Sequence, residues 1–187
     1  MKRRSFLKAS AALFSAARLQ SFALVQASAQ VSAAAPSGEI HVVGSGQDRF
    51  GESHSLGFSS ILFKVPARET NGSMFVIEHQ NLLKGGPPVH FHLHQDEWFY
   101  VMEGEVLFQV GDQRKLLRSG ESVLGPRMIP HGFAGVGSKP GRMLIAFTPA
   151  GKMEDFFRAI AVPNGPARDA EVFRRYDMQY VGPPIKA

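Results

Sequence analysis

From about Ser37 to residue 150 this 187-residue chain never sustains an apolar period of 3.6 residues. Short runs follow one another instead: EIHVV, SSILFKV, SMFVIEHQ, VHFH, EWFYVM, EVLFQV, RKLLR, ESVLG and RMLIAF, separated by glycine, proline and small polar residues. β-Branched and aromatic side chains in short runs between turn formers predict an all-β sandwich or barrel. Asn71-Gly72, Glu103-Gly104, Gly111-Asp112, Ser119-Gly120 and Pro140-Gly141 each supply a residue that tolerates positive φ. Hairpins are expected there, with consecutive strands pairing as antiparallel neighbours. After Thr148-Pro149-Ala150-Gly151 the period changes. Met153, Phe156, Phe157 and Ile160 fall at helical spacing and predict a short amphipathic helix packed on the barrel. The cluster from Pro163 to Pro166 breaks it, and EVFRRYDMQY reads as a second helix before the VGPP tail.

Within this frame the stretch Gly85 to Glu105, GGPPVHFHLHQDEWFYVMEGE, holds three histidines and a carboxylate between two turn signals. Side chains two apart on a strand share a face, so His90 and His92 can set two imidazoles side by side. Gln95 and Asp96 suggest a turn, after which Glu97 opens a run expected to return as an adjacent strand, its carboxylate facing the same point. Imidazole and carboxylate without thiolate suit a divalent first-row transition metal, with Fe, Mn, Ni, Co, Cu and Zn all left open. A second polar segment, Gly120 to Gly135, places His131 after Pro130 at the end of a strand pattern. A barrel brings distant segments to one interior point, so His131 is a candidate third imidazole.

Charge separates the two ends of the chain. Five of the 21 Lys and Arg precede the first acidic residue, Glu39, which leaves 16 bases against 16 acids in the remainder. The net +5 therefore belongs to the N-terminus, and no basic stripe for nucleic acid remains. Residues 1–29 read as a signal peptide: a basic start, a modest apolar run, and the small-x-small site Ala27-Ser28-Ala29. Arg3-Arg4 followed by Ser5, Phe6, Leu7 and Lys8 resembles the twin-arginine export motif. That resemblance implies engagement with the twin-arginine export machinery and a periplasmic or secreted product. Arg18, Gln20 and Gln26 interrupt the apolar run, which falls short of the ~20 residues a membrane span requires. Ala33-Ala34-Ala35 offers a later cleavage site. The chain has no cysteine, which excludes disulfides, lipoprotein anchoring and thiol catalysis.

The histidine pattern resembles the cupins, small jelly-roll metalloproteins. Their first motif, histidine-x-histidine, four residues, glutamate, six residues, glycine, is matched by His90, His92, Glu97 and Gly104. Their second, glycine, five residues, proline, then histidine five residues on, is matched by Gly120, Pro126 and His131. The resemblance runs from about Gly57 to Pro149 and implies a metal held by three histidines and one glutamate. Lys84, Met128 and Gly135 depart from the motifs at positions that concern turns rather than ligands. The GGPP lead-in, the DEWFYVMEG run, the TPAG segment and the terminal VGPP further resemble single-domain bacterial proteins similar to quercetin dioxygenase. The domain reading is 1–29 signal peptide, 30–56 N-terminal extension and first strand, 57–149 barrel, and 150–187 C-terminal helical tail.

Neighbouring residues divide by parity. Phe99 and Val101 share the face of Glu97 and are expected to line the interior and a substrate pocket, with Phe133 at the pocket mouth. Trp98 and Tyr100 should face outward, which is compatible with a homodimer. His94 falls where the turn begins and is expected at the site rim or in solvent. His41, His54 and His79 lack partners at motif spacing and are read as surface or core hydrogen-bonding residues. By resemblance the function is a dioxygenase cleaving a flavonol-like or enediol small-molecule substrate, with Glu97 taking or holding the substrate proton. A metal-dependent isomerase or hydrolase, or a non-catalytic periplasmic small-molecule or metal-binding protein, remain alternatives.

Overall fold

The computed structural model describes Gly38 and residues 40–162 and 168–186. The expected signal peptide and the break at Pro163 to Pro166 lie outside the described residues. Eleven strands and two helices follow in chain order: β1 (His54–Ser55), β2 (Ser60–Val65), β3 (Phe75–Leu82), β4 (Pro88–His92), β5 (Asp96–Glu103), β6 (Glu105–Val110), β7 (Gln113–Arg118), β8 (Ser122–Gly125), β9 (His131–Gly135), β10 (Gly141–Thr148), α1 (Met153–Ile160), α2 (Ala170–Arg175) and β11 (Met178–Pro184). Two antiparallel sheets form, a six-stranded one in the order β1-β2-β3-β10-β5-β8 and a five-stranded one in the order β11-β4-β9-β6-β7. This is the all-β architecture expected from the strand pattern, in the jelly-roll form that the family resemblance implied.

Burial follows the pleat. In β10 Met143, Ile145 and Phe147 are buried while Arg142, Leu144 and Ala146 between them are less so. In β5, Glu97, Phe99, Val101 and in β6, Val106, Phe108 point into the space between the sheets. Trp98 and Tyr100 stack on the outer face at 5.8 Å between ring centroids, as their parity requires. α1 buries Met153, Phe156, Phe157 and Ile160 against this core. α2 starts at Asp169, whose Oδ1 accepts from the backbone N–H groups of Glu171 and Val172, both at 3.0 Å.

Pairing of consecutive strands holds only in part. β1 with β2, β2 with β3, and β6 with β7 pair in sequence, the last through the two-residue turn Gly111-Asp112. The turns at Glu103-Gly104, Ser119-Gly120 and Pro140-Gly141 instead carry the chain from one sheet to the other, because β5, β8 and β10 belong to the first sheet and β6, β7 and β9 to the second. A turn former marks a reversal but does not state in which plane the chain returns.

Three further expectations are corrected. Residues 40–43 are not a strand: Ile40 and Val42 are 86% and 84% exposed, so their alternation has no sheet to join. The segment His131–Gly135, expected to follow the end of a strand pattern, is itself the central strand β9. Its small residues are required by close approach, since a Cβ on Gly135 would lie 2.3 Å from the Leu83 carbonyl oxygen. The second helix stops at Arg175, and Asp177, at φ 59°, reverses the chain into β11. The C-terminal segment is thus a sheet component that pairs with β4, setting Met178 opposite His92 and Tyr180 opposite His90.

Candidate metal centre and cavity

The two sheets share the site between them. His90 and His92 stand on β4 and His131 opens β9, all in the second sheet, and His131 is the residue paired with His90. Glu97 comes from β5 in the first sheet. β4 and β5 are therefore facing strands, not the adjacent pair expected, and the bend at Leu93-His94 takes the chain across. The carboxylate meets the imidazoles face to face.

One ligand atom from each of His90, His92, Glu97 and His131 lies within 4.8 Å of the others, and all four residues are buried. His92 Nε2 and His131 Nε2 approach the same Glu97 oxygen, Oε2, at 3.0 and 2.9 Å. The outer nitrogens are committed: His90 Nδ1 donates to the Pro88 carbonyl at 2.8 Å and His131 Nδ1 to the Ile129 carbonyl at 2.9 Å. A carbonyl only accepts, so in the neutral rings Nε2 is left as a lone pair directed inward. For His131 that lone pair faces a carboxylate oxygen that also brings lone pairs. Such an arrangement calls for a cation between them, and backbone carbonyls holding the outer N–H are the usual support of a metal-bound imidazole. The donor set therefore fits a divalent metal.

Burial keeps the cluster in ligand form. Desolvation, followed by the neighbouring His131 and His92, brings the His90 imidazole down to about 3, so it stays neutral near pH 7. Burial pushes the Glu97 carboxyl up, but the close approach of the His131 and His92 rings outweighs it and holds the group below the ordinary carboxylate range. Asp96 beside it is tied to Arg127 by bonds of 3.0 and 2.7 Å from the guanidinium, which hold its carboxyl near 2 and fix the loop leading to His131. Gly125 lies opposite Glu97 in β8, and a Cβ there would come within 3.1 Å of the His131 ring. The absence of that Cβ gives the imidazole its place.

The cluster opens on an apolar cavity with about 40 Å³ of free space, room for a few water molecules. Phe99, Phe133, Phe147, Phe156, Phe157 and Phe173 supply much of its wall, and His90, Glu97 and His131 reach it. Phe99 lines it as expected. Phe133 is an inner wall residue rather than a mouth, buried in edge contact with Phe58, His79 and Phe99. Val101 is not part of the lining: two residues along β5 from Phe99 it is fully buried in the core opposite Met143. His94 sits exposed in the bend and outside the cluster, and His41 is exposed. His54 is buried, stacked on Phe63 with ring centroids at 4.5 Å.

Two polar cavity residues escape the motif reading. His79 on β3 is buried, with Nδ1 2.9 Å from Ser59 Oγ; burial, opposed by Glu97 and helped by Arg168, lowers its imidazole to about 4. Arg168 lies with its guanidinium over the Phe58 ring, 5.1 Å from the centroid. Neither residue has a sequence signal, because both reach the cavity from segments outside the two motifs.

Residues 79–147 match the Cupin domain family. No curated protein matches the sequence. Among solved structures, an RmlC-like cupin from Shewanella frigidimarina is similar at a TM-score of 0.51 and 25% identity, over 63% of this chain and 96% of that one. Pac13, a nucleoside dehydratase from Streptomyces, is similar at a TM-score of 0.50 and 12% identity, over 78% of this chain and 93% of that one. The chain thus has a cupin fold in which residues 79–147 match the cupin domain, and its buried histidine and glutamate cluster could hold a metal.

Proposed function

We propose that the protein is a metal-dependent dioxygenase acting on a small, largely apolar substrate that carries adjacent enol or phenol oxygens. The observation that carries this reading is the convergence of three inward Nε2 atoms and one ionised carboxylate on the edge of a phenylalanine-walled cavity. His90, His92, Glu97 and His131 would hold a divalent first-row metal, which when bound supplies Lewis-acid activation of substrate oxygen and access to reaction with dioxygen. The remaining work falls to the chain. Glu97, buried and ionised, is placed to accept the proton of a substrate hydroxyl. The phenylalanine wall excludes water and orients a flat substrate body. Any ring-sized ligand exceeds this free space, so its entry would require side chains of the cavity wall to move aside.

His79 favours a second reading, proton transfer without oxygen. It is a buried imidazole on the cavity wall outside the ligand cluster, as an acid or base for isomerisation would be. Oxygen uptake by metal-loaded protein, measured over a panel of flavonols and other enediols, tests both. The dioxygenase reading expects uptake stoichiometric with substrate loss; conversion under argon at an undiminished rate would reject it in favour of proton transfer.

Placement in the periplasm or outside the cell is part of the proposal and rests on the Arg3-Arg4 segment. Cell fractionation of the Arg3→Lys, Arg4→Lys double variant is expected to show cytoplasmic retention, and unchanged export would remove that support.

A further inference from the structure

We propose that the cavity recognises an organic carboxylate, held by Arg168 at one end while its apolar or aromatic body lies against the phenylalanines. The inference deepens the substrate assignment and rests on the metal-site reading only for the opposite end of the ligand.

Arg168 is unlike the other cations near the core. Arg49, Arg142 and Arg158 are each bonded to glutamate, at 2.9 Å to Glu69, 2.8 Å to Glu78 and 2.7 Å to Glu52. Arg168 lines the cavity, and its Nη1 is buried with no hydrogen-bond partner among the described residues. A buried guanidinium nitrogen without an acceptor is unfavourable, and the geometry that best relieves it is a planar oxygen pair. The cavity offers no such pair of its own. Glu97 is its carboxylate, and Oε2 is already approached by both His92 and His131.

The charge balance points the same way. His79 is kept neutral by burial, Arg168 carries one positive charge, and a divalent ion against the single Glu97 carboxylate leaves the far end positive as well. A carboxylate compensates the Arg168 end. The chemistry favours carboxylate over phosphate, because one arginine beside aromatic faces matches a flat two-oxygen group, whereas a phosphate brings more charge into a wall of phenylalanine. The face of Phe58 beneath the guanidinium, at 5.1 Å, keeps the fork oriented.

Isothermal titration of benzoate and benzamide into the full-length protein separates the anion from its neutral isostere. Benzoate is expected to bind about tenfold more tightly, the order of a buried charge-assisted hydrogen bond. In Arg168→Met the preference is expected to fall to about twofold or less, with benzamide affinity unchanged, and Arg168→Lys should retain part of it, since its charge lacks the fork. Equal affinity for the two probes, binding of neither, or a preference that survives Arg168→Met would overturn the assignment. Repeating the titrations after chelator treatment, with metal content measured in parallel, separates the two readings. Protein that takes up no added divalent metal, before or after chelator treatment, yet still prefers benzoate keeps the Arg168 assignment while refuting the cluster as a metal site.

Discussion

His131 stands directly opposite His90 across the junction of β4 and β9, with ring centroids 5.0 Å apart. Forty residues of chain intervene, yet the pairing is local in space because β9 lies between β4 and β6 in one sheet. Antiparallel register thus places the third imidazole beside the first two, and the facing sheet delivers the carboxylate.

His92→Ala is expected to remove most of the bound metal. It is the most deeply buried of the three imidazoles and shares Glu97 Oε2 with His131, so no neighbouring side chain can take its place. The loss of affinity should exceed the roughly 10–100-fold that removal of an outer-shell partner costs. Elemental analysis of purified wild type and variant reads the outcome, and equal metal content would reject the site.

Phe173→Ala should weaken both fold and site. Phe173 is fully buried, edge-on to His90 at 5.1 Å and to Phe156 at 5.7 Å, so truncation opens a cavity costing about 3–5 kcal/mol. Phe108→Ala serves as the control, since Phe108 is equally buried but packs on Phe99 and Phe133 without touching the ligand rings. Urea unfolding should show comparable losses for the two variants. Metal titration should show weaker binding only for Phe173→Ala; equal metal affinity in both would mean that α2 merely covers the site.

The candidate ligands were legible in the sequence because metal chemistry imposes spacing: strand parity joins His90 to His92, and motif distances lead to Glu97 and His131. The strand pattern likewise predicted two-faced sheets, since Phe99 and Met143 must alternate with outward residues. What escaped notice is set by tertiary pairing. HGFAG carries no β-branched residue, and it forms a central strand because Gly135 admits the Leu83 backbone while Gly86 admits the Phe133 carbonyl. DMQYVGPP follows a helix without a hydrophobic break, and only the positive φ of Asp177 and the open edge of β4 make it a strand. His79 and Arg168 obey no spacing rule, because a cavity wall is assembled from whichever segments face it.

Met128→Gly is expected to be neutral to stabilising. Met128 takes φ 64° and is largely exposed, so its side chain contributes little packing while its Cβ disfavours the left-handed conformation by about 1–2 kcal/mol. Glycine removes that strain and offsets it by about 0.4–1 kcal/mol of unfolded-state entropy. Its N–H donates to the His92 carbonyl at 2.8 Å, a bond glycine retains. A thermal midpoint equal to or a few degrees above wild type is expected; a fall of several degrees would mean that the side chain matters to the loop before His131.

Acidification should destabilise the metal-free protein from about pH 6.5 downward. His90 and His79 lie at about 3 and about 4 in the folded chain against an ordinary value of 6.5. Above 6.5 both are neutral folded and unfolded, so stability does not vary with their titration. Below it the unfolded chain takes up a proton at each while the folded chain does not, and stability falls by about 1.4 kcal/mol per pH unit for each histidine. His79 ceases to contribute near pH 4 and His90 near pH 3. Glu97, held below its ordinary 4.5, adds a further loss only under that value, so the decline between 6.5 and 4.5 belongs to the histidines. Denaturant midpoints measured across this range should be flat above pH 7 and fall continuously below 6.5, and His79→Gln should remove about half of the slope, since it deletes one of two similar titrations. A midpoint that stays level to pH 5 would show that these imidazoles are not buried in neutral form.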